Sequence, residues 1–600
     1  MPPNATSGYH GAFGMGLIFR YLREHWWLAA GALVLAAINQ ISSMAEPFIF
    51  RRIIDGYLIP SRHQSEREFV LGAGLWLAAM VAATTIAWAA KTLQLSRVGQ
   101  ISQKVAATMF ADGVRHALEM PYAEFEHTRS GEMLDQLQKL RWKVEQLIGS
   151  TINELFISLV GVVFVLVYAA SVHWVIALYM AVVAILMIAL SIALSRTLKR
   201  VQADVFREGT ALAGAATETI RNIEFVKSQG LAQREISRLH DSSGRILAFE
   251  LEGIRRVRRF SFFHGGCVQT MRLSLIVLLL YFLYMRWISV GQFFALYLYS
   301  RCLFVPLQQV GSAIQEYRST EASLGAFRVL LDRPKESRPA RPVRVDKLRS
   351  IEFDDVQFQY AAALRPALTG LSFSVVRGET IAFVGPSGAG KSTIVKLLCG
   401  LYTPQRGRIL YNGISQGKIS LDELRERIGL VTQETQLFSG SIRQNLQFVR
   451  PGASDAECLV ALEQASAQSL LKRTGQGLDT LIGEGGLRLS GGERQRIAIA
   501  RALLRQPHVV IFDEATSSLD SLTEKDISAT IRALTGRSDA ITILVAHRLS
   551  TVSRADVIYV LDHGMIVQSG SQADLVAAGG LYRDMWLQQV NGDGESHPES

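Results

Sequence analysis

Cysteine is scarce in this chain, with four in 600 residues, and no two of them form a C-x-x-C pair. That excludes a disulfide framework, and Cys267, Cys302, Cys399 and Cys458 all read as reduced core thiols. Charge is scarce too. Charged residues make up 19% of the chain against 49% hydrophobic, and the mean hydropathy is +0.19. The start, MPPNATSGYHGAFG, lacks the charged region and short apolar core of a cleaved signal peptide, so none is expected. The sequon Asn4-Ala5-Thr6 is discounted because the topology below leaves it in the cytosol.

What the chain has instead is long apolar runs, crowded into its first half. Single cores stop growing near ~250–300 residues, so several domains are expected. A membrane span needs about 20 mostly apolar residues. Such runs lie at 26–50, 69–90, 147–170, 174–194, 262–285 and 291–311. Only Ser171-Val172-His173 separate the third from the fourth, which makes those two a tight hairpin. Two long polar segments, 91–146 and 195–261, have helical periodicity and are basic, with Arg255, Arg256, Arg258 and Arg259 the densest cluster. Positive-inside reasoning places both segments and both termini in the cytoplasm. The formal net charge of +10 is therefore a topology signal, and no nucleic-acid partner is expected. Residues 17–23 read as an amphipathic helix at the interface.

The expected divisions follow. A cytoplasmic N-terminus with that interface helix fills 1–25, and an all-α six-helix transmembrane domain with long cytoplasmic extensions fills 26–327. A Pro- and Arg-rich linker occupies 328–350, an α/β domain 351–590 and a polar disordered tail 591–600. In the α/β part, IAFVG, IGLVTQ, VVIFDE, TILVAH and VIYVLD are short apolar strands alternating with helices, which argues a mainly parallel sheet.

The densest chemistry lies there. Gly385-Pro386-Ser387-Gly388-Ala389-Gly390-Lys391-Ser392-Thr393 follows the strand IAFV and opens the helix TIVKLLCG, the setting of a P-loop. Its glycines let backbone N–H groups close on phosphate oxygens, Lys391 reaches the β and γ phosphates, and Ser392 ligates Mg²⁺. The strand Val509–Phe512 ends in Asp513 and Glu514. Asp513 would hold Mg²⁺ and Glu514 would orient and deprotonate the attacking water. His547 ends the strand TILVAH, where it could meet the γ-phosphate. A second anion site opens the helix of LSGGERQRIAIARALL, at Ser490, Gly491 and Gly492.

The order GPSGAGKST, Gln433, LSGGE, VVIFDE, SSLD and AHR resembles the ABC-transporter ATPase domain. With six spans ahead of it, the chain from about 15 to 590 resembles a half-size ABC exporter of the bacterial multidrug and lipid class: a transmembrane helical domain followed by a P-loop ATPase. The resemblance implies ATP and Mg²⁺ as cofactors. It implies that Tyr360 stacks on adenine, that Gln433 links Mg²⁺ to the membrane domain, and that Asp520 signals across a dimer. TLIGEGG at 480–486 resembles the segment that senses coupling helices, which are expected near 121–131 and 219–230. Glu493 departs from the Gln of many members, and this is not counted against activity because its side chain need not touch phosphate. Ser490–Gly492 would serve the ATP of another subunit, either a second copy or a related half-transporter.

Such a protein would move a hydrophobic or amphipathic lipid, drug or peptide across a bacterial inner membrane. The alternative is a membrane-tethered ATPase that regulates a partner and transports nothing. Import is disfavoured by the fusion of permease and ATPase, and no peptidase-like Cys/His pair precedes the first span. Polar residues within spans are pathway candidates: Asn39, with Ser43 and Glu46 on its face of the first span, and Gln269 and Arg272 in the fifth. A cavity-facing Arg272 would favour an amphipathic or anionic substrate.

Overall fold

The computed structural model describes residues 11–594 apart from 60–65, 127–129, 191–211, 213–214, 217, 221, 434, 474, 484–485, 488, 515–528, 532–539 and 547. Two compact units emerge, Met1–Glu119 with Thr128–Arg333, and Met120–His127 with Pro334–Ser600.

The first unit is helical. Its elements are α1 (Gly11–Arg23), α2 (Trp26–Leu58), α3 (Glu66–Leu118), α5 (Ser130–Ser150), α6 (Ile157–Val172) and α7 (Trp174–Leu190), then α8 (Ile223–Ser228), α9 (Ala232–Tyr284) and α10 (Val290–Leu331). The helix α4 (Tyr122–Glu126) falls in the second unit. Among the described residues, four stretches are long and apolar enough to cross a membrane: α2, α3, Met133–Val172 and Gly265–Tyr284. α7 is apolar but shorter, and α10 carries Arg301, Gln308 and Gln309 within its expected span. The second span and the polar segment after it form one unbroken 53-residue helix, α3, because no Pro interrupts it.

Small residues let these helices approach. Ala29, Ala32 and Ala36 are buried on α2, and Gly161 on α6 faces Gln40. One cluster joins Val165, Tyr168, Met180, Leu275 and Leu303 around the buried ring of Tyr299, whose hydroxyl donates to the Met44 carbonyl at 2.6 Å. Cys267 is exposed on α9 rather than buried, while Cys399 and Cys458 are core thiols and Cys302 is half-buried. On a lipid-spanning helix an apolar thiol can face outward without penalty, so burial does not follow from apolarity there.

The second unit is α/β. Strands β1 (Ser350–Phe358), β2 (Leu368–Val376), β4 (Arg406–Tyr411) and β5 (Ile414–Ser415) make an antiparallel sheet in the order β2-β1-β4-β5. The main sheet runs β12-β11-β3-β10-β9-β6, from β3 (Thr380–Val384), β6 (Ile428–Val431), β9 (Val509–Asp513), β10 (Ile541–Val545), β11 (Val557–Asp562) and β12 (Met565–Gly570). β7 (Gly440–Ser441) and β8 (Leu481–Ile482) form a separate small pair. All neighbours in the main sheet are parallel except β11 and β12. β3 and β10 are buried along their full length, because apolar clusters cover both faces of the sheet.

Candidate functional site

The main sheet brings the ends of β3, β10 and β9 together. Val545 lies opposite both Phe383 and Asp513, so the loop after β3 and the carboxylates after β9 leave the same edge. Ligands in open α/β sheets bind at that carboxyl edge. The loop turns through left-handed backbone at Gly388 (φ 82°) and Gly390 (φ 103°) and leads into α11 (Lys391–Leu398). A Cβ at Gly390 would come 2.7 Å from the Ala367 carbonyl, which is why that turn needs glycine.

Lys391 is 4% exposed and donates to the carbonyls of Gly385 at 2.8 Å and Pro386 at 2.9 Å. Burial pulls its pKa down, and Glu514 and Asp513 act against that. Gly388, Gly390, Lys391, Ser392 and Thr393 line a cleft of about 370 Å³ with Ser387, Ala367, Tyr360 and Glu514. The Tyr360 hydroxyl is 3.2 Å from Thr393 Oγ1, and its ring packs edge-on against Phe358 and Tyr402. Ala389 is buried, and its carbonyl accepts from the Gly564 N–H at 3.2 Å.

Asp513 carries the clearest mark of a ligand. Its Oδ1 is buried and has no hydrogen-bond partner, and its pKa is pushed up to about 6, by burial first and then by Glu514. Lys391 and Lys396 oppose that rise. A buried carboxylate oxygen with no donor suits a hard cation, so the donor set of Ser392 and Asp513 fits Mg²⁺. Glu514 stands in left-handed backbone (φ 50°) with its N–H on the Val545 carbonyl at 2.8 Å. Non-glycine residues held that way concentrate at functional sites.

Gln433 is exposed in the turn after β6 and lies outside the cleft. So do Ser490, Gly491 and Gly492, which open α12 (Gly491–Leu504). Ser490 caps that helix in a closed box: its Oγ accepts from the Glu493 N–H at 3.2 Å, and its N–H donates to Glu493 Oε2 at 2.7 Å. Asp520 and His547 lie outside the described residues. Asn39 is buried on α2, Gln269 is exposed on α9 and Arg272 is half-buried on α9. Asn39 lines a cavity to which Gln269 and Arg272 do not contribute.

Two features escaped sequence reasoning. Gln495, buried in α12, accepts from Thr435 Oγ1 at 2.8 Å and donates to the Thr432 carbonyl at 3.4 Å, tying α12 to the segment that carries Gln433. Lys396, one turn beyond Lys391, pairs with Glu126 of α4 at 2.8 Å. Neither belongs to a short motif, so nothing local flags them.

The chain matches two protein families, the ABC transporter transmembrane region over residues 29–307 and the ABC transporter domain over 368–517. The beta-(1→2)glucan export ATP-binding/permease protein NdvA of Bradyrhizobium diazoefficiens is 32% identical, across 95% of this chain and 93% of its own. The ATM1-type heavy metal exporter of Novosphingobium aromaticivorans is 31% identical over 93% and 92%. The ATP-dependent lipid A-core flippase of Chromohalobacter salexigens is 30% identical over 94% and 96%. Among solved structures, a bacterial Atm1-family ABC exporter with ATP bound is similar at a TM-score of 0.85 and 27% identity, covering 96% of this chain and 99% of that one.

Proposed function

The chain belongs to the ABC transporter family, as an integral membrane exporter with permease and ATP-hydrolysing unit fused in one half-size polypeptide, and from that premise we propose how its nucleotide site is completed. Two copies pair head to tail, and Ser490, Gly491 and Gly492 of each close on the ATP held by the P-loop of the other. The observation that supports this reading is that Gly388, Gly390 and Lys391 line the P-loop cleft, whereas Ser490, Gly491 and Gly492 at the start of α12 do not.

In the closed pair, P-loop N–H groups and Lys391 hold the phosphates, and Tyr360 stacks on the base. Ser392, Asp513 and Gln433 would hold Mg²⁺, which would supply positive charge to offset that of the phosphates. Glu514 orients the attacking water and takes its proton, His547 contacts the γ-phosphate, and Asp520 signals across the interface. Moving a two-state population from 1:99 to 99:1 takes about 5.5 kcal/mol of differential binding. Two nucleotides that are each sandwiched only on closure supply a difference of that kind. Loss of the γ-phosphate then resets the membrane helices.

The substrate reading is an amphipathic or hydrophobic molecule, in keeping with the relative named for lipid A-core, while the relatives named for a polar glucan and for heavy metal fall outside that class. A regulator that transports nothing would hydrolyse ATP without response to any such molecule. Reconstituted vesicles separate the two: export predicts hydrolysis that rises with a transported amphiphile, and a flat rate across drugs, lipids and peptides favours the regulator.

A further inference from the structure

The far end of the P-loop helix is held from outside the nucleotide cleft. α11 has eight residues and is about 12 Å long, so a shift of its last turn is felt at Lys391. The carbonyls around that last turn are claimed by side chains. Gln416 Nε2 donates to Leu397 at 3.0 Å and the Tyr411 hydroxyl to Leu398 at 2.7 Å, both from buried positions. The next two carbonyls belong to Arg425, on the short helix Leu421–Glu426. Its Nε donates to Cys399 at 3.1 Å and its Nη2 to Gly400 at 2.8 Å. A cation suits that place, because the carbonyl end of a helix carries partial negative charge.

The other edge of the same guanidinium faces the linker. Glu336 accepts from it in a fork, from Nη1 at 3.0 Å and from Nη2 at 2.6 Å. Arg425 and Glu336 are 27% and 20% exposed, so water screens this pair less than a surface one. The linker has a second pin nearby, Arg338 on Asp422 at 3.0 Å, and there both side chains are more than half exposed. Stability alone explains why a linker is pinned. It does not explain why the better-buried pin is the residue that closes the P-loop helix. On the other side of Glu336, the Arg333 carbonyl lies 3.1 Å from His116 Nε2. Only Pro334 and Lys335 separate Arg333 from Glu336, and the fixed φ of Pro334 leaves that joint little slack. A displacement of the end of α10 therefore reaches Glu336 through two residues.

We propose that Arg425 is a positioning residue for ATP, through which the linker carboxylate Glu336 sets the grip of the P-loop helix on phosphate. With the fork made, the last turn of α11 is fixed and the P-loop keeps the shape that binds nucleotide. With the fork broken, that turn loosens and ATP affinity falls. Coupling between two sites is reciprocal, so bound nucleotide in turn tightens the linker. This goes beyond the shared-site reading and stands whether or not two copies pair.

The test uses the full-length protein in nanodiscs, with Mg²⁺ and adenylyl imidodiphosphate, an ATP analogue that is not hydrolysed. Equilibrium titration gives its Kd, and hydrogen exchange reads residues 335–345 with and without it. In the parent protein the analogue is expected to slow exchange of that segment severalfold. Arg425→Gln and Glu336→Gln should each raise the Kd about fivefold, the lower end of coupling between distinct sites. Both should erase the slowing, and the double variant should be no weaker than Arg425→Gln alone, because the two act in one chain of contacts. Arg338→Gln removes only the exposed pin and should leave the Kd within about twofold. An unchanged Kd in Arg425→Gln and Glu336→Gln overturns the proposal. So does an equal rise in Arg338→Gln, which would make linker docking a matter of general stability. Should Arg425→Gln fail to fold, Glu336→Gln decides alone, since it alters a linker side chain outside the core and keeps its shape.

Discussion

The ammonium of Lys396 lies 5.2 Å from the centre of the Tyr360 ring. The same group donates to Glu126 Oε1 at 2.8 Å, and Glu126 Oε2 accepts from the Tyr402 hydroxyl. Burial works to lower the Lys396 pKa, but the hydrogen bond to Glu126 and the neighbouring tyrosines outweigh it, and the pKa is raised. The ring proposed to stack on adenine is thus braced by a cation that also reaches α4.

Removing that brace should weaken nucleotide binding without touching the chemistry. Lys396→Met is expected to raise the KM for ATP about fivefold, the equivalent of roughly 1 kcal/mol for a partly buried cation–π contact. kcat should hold, and Lys396→Arg should restore the KM. A double-mutant cycle with Glu126→Gln checks the coupling, and strictly additive effects would show that the two side chains act independently.

Asp513 should make nucleotide binding depend on pH. Its folded pKa of about 6 lies above the ordinary 3.8, so the folded protein holds an extra proton between those values. The stability this lends is present below about 3.8 and is lost as pH rises through 6. On the proposed site, Mg²⁺–ATP binding should run the other way because it would need the carboxylate. Affinity should fall as pH drops below 6, by up to about tenfold per unit, and Asp513→Asn should flatten the profile. Calorimetric titrations at pH 5, 6 and 7.5 measure this.

Glu493 serves the start of α12 as half of a capping box, so its effect should be on stability. Glu493→Ala should cost about 1 kcal/mol, read as a lower unfolding midpoint. Glu493→Gln keeps the reciprocal hydrogen bond and should match the parent within a few tenths of a kcal/mol. A large loss of hydrolysis in Glu493→Gln at unchanged stability would instead give the side chain a direct role at the phosphate.

Glu514 should separate binding from turnover. Glu514→Gln keeps the shape and removes the base, so ATP binding and closure of the pair should persist while hydrolysis falls at least a hundredfold. Near-normal hydrolysis would mean that another group takes the proton.

The ATP-binding half was legible because its chemistry is local. The strand IAFV, the glycine turns and Lys391 lie within a dozen residues, and each needs its neighbours in sequence. Ser490 and Glu493 also carried the S-x-x-E spacing of a capping box, a signal in plain view. The pairing of Lys396 with Glu126 was not readable, since 270 residues separate them and neither lies in a periodic pattern that marks a partner. Gln94, buried on α3, hid for another reason. In a helix that is apolar on most faces, only packing decides which polar side chain is buried, and α3 shows no dominant face from its sequence. For the same reason Asn39 could be named as a polar residue within a span, but not assigned its neighbours.

In the proposed pairing, one polypeptide supplies only half of each working ATP site. The direct measurement is the hydrolysis rate of single, counted copies in nanodiscs of a size that admits one chain, set beside paired copies in larger discs. Paired copies should hydrolyse ATP at full rate and isolated copies at under a hundredth of it, with ATP still bound at the P-loop. Full-rate hydrolysis by verified single copies would show that the chain completes its ATP site alone and would rule out the shared site.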